Sequence, residues 1–179
     1  MIKNTLLVVV GLLVLAVLVI ALIASQRPDT FRVSRSATIA APAEKIFSMI
    51  NDIREFDTWN PYSRKDPQMK SSNSGPASGP GARSDFDGKK AGTGSLEIVQ
   101  ATLPSEVKMR LNMTAPFKGD NTVIFTLAPQ GNATQTTWAM EGFAPFVARF
   151  MGVIFNMDKM VGADFEAGLA SLKARAEKA

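Results

Sequence analysis

Apolar side chains recur in steps of three and four late in the chain, at Val147, Phe150, Met151, Ile154, Met157, Val161, Phe165, Leu169 and Leu172. That period lines one face of a helix, so the spacing predicts a single long amphipathic helix from Pro145 to about Lys178. Burying each such side chain is worth about 1.5–3 kcal/mol, and the stripe therefore demands a broad apolar partner. The middle of the chain supplies one, because there the period drops to two. Val107, Met109, Leu111 and Met113 alternate with Lys108, Arg110 and Asn112, and Val123, Phe125 and Leu127 share one face of the following strand. Earlier, Phe31, Val33, Ala37 and Ile39 alternate with Arg32, Ser34, Ser36 and Thr38. Arg35 breaks that alternation, a charge on the apolar side, and is expected at a strand end or a bulge.

Between the first strand and the others the pattern turns helical. Ala41-Pro42-Ala43-Glu44 opens a helix whose buried face is Ile46, Phe47 and Ile50. Asp52 is placed to cap a second short helix that ends at the Trp59-Asn60-Pro61-Tyr62 turn. Residues 66–81 are polar and rich in Ser, Gly and Pro, which predicts a weak edge strand and a turn. Five further strands are predicted, at about 82–87, 95–102, 106–114, 121–128 and 134–141, the last carrying Trp138. The order is strand, two short helices, about six antiparallel strands and one long helix. An antiparallel sheet with one wet face wraps its apolar face around such a helix, which makes the fold class α+β with a curved sheet of about seven strands.

This order, with several local motifs, resembles the helix-grip fold of the START-related SRPBCC or polyketide cyclase/dehydrase-like superfamily. The points of likeness are Ala-Pro-Ala-Glu-Lys-Ile-Phe at 41–47, the Trp59-Asn60-Pro61 turn, Gly92-Thr93-Gly94, Trp138, and Asp164-Phe165-Glu166-Ala167-Gly168-Leu169. The resemblance covers Phe31 to the C-terminus. It implies a binding cavity between sheet and helix, in a superfamily of lipid carriers, ligand sensors and cyclases. Tyr62 stands where members often carry a second tryptophan, so the turn's role at a cavity mouth rests on different residues here.

A separate element precedes the domain. Leu6 to Ala24 holds no charged or strongly polar side chain, and about 20 such residues cross a bilayer core. A secretory signal has a shorter apolar run and a small-x-small cleavage site, whereas here Leu22 sits three before the break if Ala24 is last. The reading is an uncleaved, single-pass anchor at residues 1–26, a linker at 27–30, and a helix-grip domain over 31–179. Lys3 stands before the span, and Arg27, Arg32 and Arg35 follow it. The count leans toward a cytoplasmic domain but leaves the side open, since the later arginines lie in a strand.

Composition narrows the chemistry. The chain has no Cys and no His, which removes disulfides, thiolate catalysis, Ser-His and Cys-His pairs, and the usual zinc sites. The net charge of +4 is spread among acids without aromatic-basic interleaving, and nucleic-acid binding is excluded on that footing. No metal or cofactor is expected, no residue is singled out as catalytic, and any protein partner is left unnamed. Asp158 falls near the apolar face of the last helix: it would be a cavity-wall group, or a flank residue bonded to a strand. Gly152, Gly162 and Gly168 either leave room for a ligand or admit close packing.

The expected cavity lining is Trp59, Tyr62, Val107, Met109, Leu111, Val123, Phe125, Leu127, Trp138, Ile154, Asp158, Val161 and Phe165. The function expected is membrane-anchored binding of a lipid or other apolar small molecule, as carrier or sensor. Two alternatives stand beside it. One is a cyclase or dehydratase using Asp158, Glu97 or Glu141 with Tyr62. The other is a partner-binding module whose cavity is filled by its own side chains.

Overall fold

The computed structural model describes residues 2–178. Its elements in chain order are α1 (Ile2–Gln26), β1 (Thr30–Ile39), α2 (Ala43–Asn51), α3 (Ile53–Trp59), α4 (Pro61–Lys65), β2 (Lys70–Ser74), β3 (Arg83–Gly88), β4 (Gly92–Thr102), β5 (Glu106–Ala115), β6 (Gly119–Gln130), β7 (Ala133–Phe143), α5 (Phe146–Ile154) and α6 (Met157–Ala176). The seven strands form one sheet in the order β1-β7-β6-β5-β4-β3-β2. The chain falls into two compact units, one of residues 1–31 with 143–157, the other of residues 32–142 with 158–179.

In the larger unit, register fixes which side chains share the inner face. Ile98 opposes Met109, Leu96 opposes Leu111, Val107 opposes Phe125, Met109 opposes Val123, and Phe125 opposes Trp138. Glu97 and Arg110 form the next pair and so point to the other face. α6 runs parallel to β1: Arg35 meets Asp158 and Glu166, Lys173 Nζ reaches the Thr38 carbonyl, and the Ala40 N–H donates to Glu177. Phe165, Leu169 and Leu172 are its buried stripe. Asp52 caps α3 by accepting from the Arg54 and Glu55 N–H groups at 2.9 and 3.1 Å.

Two details of the helices differ from the sequence reading. Three short helices, not two, follow β1, because Asn60 accepts from the Tyr62 N–H and starts another turn at Pro61. The single long C-terminal helix is two helices. Phe155 is extended (φ −111°, ψ 133°), and α6 begins after Asn156, a residue type favoured at helix starts, with Asp158 in its first turn. The three-and-four spacing runs unbroken across this joint, so periodicity alone cannot locate it.

In the smaller unit α5 packs against α1. Arg27 Nη1 donates to the Gly152 carbonyl at 2.7 Å, Arg149 Nη1 donates to the Arg27 carbonyl at 3.0 Å, and the Ala144 N–H donates to the Asp29 carbonyl. Residues 4–26 of α1 are long and apolar enough to cross a membrane.

Candidate functional site

The inner face of the sheet carries the candidate site, and its two ends differ. At the end covered by α3 and the middle of α6, aromatic rings meet. Trp138 stacks on Phe165 with centroids 4.4 Å apart and lies 4.9 Å from Phe125. Trp59 packs edge-on against Phe56 at 4.7 Å, Phe125 at 6.0 Å and Trp138 at 5.9 Å. Trp59 is fully buried, and its indole N–H donates to the Met49 carbonyl at 3.0 Å. Gly168 makes this closure possible, since a Cβ there would stand 2.5 Å from Trp138 and 3.0 Å from Pro61. Among the sequence-predicted residues, Trp59, Phe125, Trp138 and Phe165 come together here, with Val107, Met109, Val123 and Leu127 buried around them. The rings fill the space in which an open cavity was expected. The glycine serves packing rather than ligand room.

Toward the N-terminal end of α6 the inner face opens. Leu111, Met113, Met140 and Val161 are all half-buried. Leu111 pairs with Asn121 and Met140 with Val123, so these two residues of β6 stand between them, and the row makes a largely apolar lane beside the aromatic rings. Val161 lies one turn before Phe165, on the side of α6 toward this end. Trp138 Nε1 and Thr136 Oγ1 are buried without a protein partner on the same strand face. Depressions of about 440 and 580 Å³ lie elsewhere. The first is a groove along Lys70, Arg83, Asp85 and Asn112, and the second lies between Lys45, Glu55 and Arg175.

The charged candidates do not converge. Asp158 is 61% exposed and forms a 2.9 Å ion pair with Arg35, which also donates to Glu166 at 2.8 Å. The Arg35 hydrogen bonds hold the Asp158 carboxyl below its usual range. This is the flank position, with a β1 residue as partner. Arg35 lies mid-strand rather than at a strand end. Gly162 admits it, because a Cβ there would stand 2.0 Å from the guanidinium. Glu141 pairs with Arg32, and Glu97 lies 3.6 Å from Arg83 on the outer face. Tyr62 is half-buried on α4, its phenol pKa pushed up by burial and by nearby Asp164, which itself pairs with Lys65. Ile154 lies on α5, in the other compact unit, and is exposed.

The family described as polyketide cyclase/dehydrase and lipid transport matches residues 30–177. This chain belongs to that family. Solved structures agree on the fold. A Chromobacterium violaceum protein is 16% identical, with TM-score 0.60, over 86% of this chain and 100% of that one. The di-domain ARO/CYC BexL of the BE-7585A biosynthetic pathway is 14% identical, with TM-score 0.60, over 88% of this chain and 53% of that one. The Aha1 dimer of Colwellia psychrerythraea is 17% identical, with TM-score 0.57, over 82% of this chain and 96% of that one. No curated protein matches the sequence. In this family member two groups escaped the sequence reading. Asp57, half-buried on α3, has its pKa raised to about 6 by desolvation. Asp66, buried, accepts from the Lys90 and Ala91 N–H groups of the β3–β4 turn at 2.7 and 3.3 Å. Those bonds lower its pKa. Neither falls on a hydrophobic period, so periodicity gave no sign of them.

Proposed function

We propose that this family member binds an apolar small molecule of the fatty-acyl kind at the open lane of its inner sheet face, while α1 anchors it in a membrane as a single-pass protein. The half-buried lane of Leu111, Met113, Met140 and Val161 beside an aromatic floor is the observation that carries this reading. Its lining holds a guest by area: an acyl chain burying on the order of 200 Å² gains about 5 kcal/mol before association costs. Buried Trp138 Nε1, without a protein acceptor, favours a guest that carries an oxygen. Carrier or sensor fits better than enzyme. Asp158, Glu97 and Glu141 each sit beside an arginine and away from one another.

The ring contact between Trp138 and Phe165 favours a second reading, a partner-binding module with a filled core. A diazirine fatty acid photolysed with the full chain in nanodiscs separates them. The carrier reading expects crosslinks on the β5 and β7 peptides, lost in Leu111→Trp. Crosslinks confined to α1 and α5 peptides would leave only dissolved lipid and overturn it.

A further inference from the structure

The smaller unit holds an apolar surface that the protein itself leaves uncovered. On α5, Val147, Met151 and Ile154 are 65, 42 and 54% exposed, and at i, i+4 and i+7 they share one helical face. Phe155 beyond the helix end adds to that surface. Nothing acidic lies on α5, and its single charge, Arg149, is turned to the Arg27 carbonyl. No side chain of α5 is fully buried, although the helix packs on α1. For a helix in water this arrangement is unfavourable, because exposed apolar patches of this kind mark a contact surface.

The height of α5 along α1 points to its occupant. Among the described residues of α1, exposure falls only at Ile20, Ala21 and Ala24, and Arg27 just beyond bonds to Gly152 of α5. The apolar stretch runs 23 residues, Asn4–Gln26, about 35 Å of helix at about 1.5 Å per residue. A bilayer core takes about 30 Å of that. The turns holding Ile20 to Ala24 are therefore inside the core or at its edge. Whatever lies beside them lies at the same depth. We infer that α5 is a second membrane element, a short helix embedded in the domain-side leaflet boundary with Val147, Met151 and Ile154 against acyl chains. Arg27 and Arg149 sit at the level of the lipid headgroups. This inference rests on α1 spanning the membrane, and it adds that the chain holds the bilayer through two points distant in sequence.

The absence of cysteine makes the test direct, since any introduced cysteine is the only one. Single variants Leu13→Cys, Val147→Cys, Met151→Cys and Asn73→Cys of the full chain are labelled with NBD and reconstituted into phosphatidylcholine vesicles. Quenching by lipids nitroxide-labelled at shallow and deep acyl positions is compared with quenching by aqueous iodide. The expected result is strong shallow-label quenching at 147 and 151, deep-label quenching at 13, and iodide quenching alone at Asn73. Iodide quenching at 147 and 151 equal to that at 73 would overturn the inference. So would a blue-shifted probe there that no lipid label quenches, which would mean cover by a second copy or by protein. A Leu13 probe out of reach of the deep label would instead overturn the anchor itself.

Discussion

In the larger unit Phe125, Phe165 and Trp59 are sealed by one another, and Gly168 gives up a side chain so that Trp138 can close the contact. In the smaller unit side chains of the same kind, Val147, Met151 and Ile154 on α5 and Phe155 just past its end, lie open, although α5 packs on the apolar helix α1. The stripe that joins them in sequence is continuous, from Val147 to Leu172. The same periodicity is thus spent in two ways, on a face closed by protein and on a face left open, which we infer meets lipid. Hydrophobic spacing says that a face will be covered; it does not say by what. In the larger unit the sheet register answers that question, and in the smaller unit our inference answers it from the place of α5 along α1.

The contrast can be broken most forcefully in the aromatic end. Trp59→Ala should cost about 3–5 kcal/mol in chemical denaturation of the detergent-solubilised chain, as expected for a large buried ring. A loss below about 1 kcal/mol would mean that the rings are not the closure described here. Next comes Gly168→Ala, where the helix gains about 1 kcal/mol of propensity but a methyl is forced against Trp138 and Pro61. Overpacking of that kind costs about 1–3 kcal/mol, so the expected outcome is net destabilisation. Stabilisation would show that space remains between α6 and the sheet.

A subtler probe uses pH. Asp57 has its pKa raised to about 6 by desolvation, above the usual carboxylate value, so folding favours its protonated form. Its contribution is therefore present at pH below about 4 and lost as pH rises through about 6. Asp57→Asn should match the parent at low pH, gain on it as pH rises from about 4 to about 6, and keep a constant advantage above that, read from melting temperatures across the range. Asp66 and Asp158 have the opposite sign: their pKa values are lowered, and their support fades as pH falls below the carboxylate range. A parent chain that lost no stability on acidification would contradict those bonds. The smallest effect is expected in the other unit. Val147→Ala should change the stability in detergent hardly at all, within about 0.5 kcal/mol, because Val147 is 65% exposed.

Much of the grip domain was legible because β-strands write their burial plainly. Val107, Met109 and Leu111 point one way and Lys108 and Arg110 the other, and the register follows from that alternation. The Asp52 cap was equally readable, being a local bond between neighbours. What stayed hidden depends on distant partners. Arg35 looked misplaced until Gly162, more than a hundred residues later, supplied its space. Both anomalies were visible in the chain, but only three dimensions join them. The joint at Phe155 and Asn156 was masked by spacing that continues through it, and with it the fact that Ile154 belongs with α1 rather than with the candidate site. For the site itself, periodicity found the inner-face residues without distinguishing filled from open. That distinction depends on how rings such as Trp138 and Phe165 orient, which spacing does not encode.

The central claim is that a guest reaches the open lane beside Trp138, and the chain offers a natural reporter for it. It has two tryptophans, Trp59 and Trp138, and none in α1 or α5. Trp59→Phe leaves Trp138 as the only tryptophan, and the full-length variant in nanodiscs can be titrated with a dibrominated fatty acid kept at low mole fraction in the bilayer. Bromine quenches indole only at near contact. The account predicts saturable quenching of Trp138, reversed by excess unlabelled fatty acid. Emission that stays constant, or that falls in simple proportion to bromine in the bilayer with no competition, would contradict it.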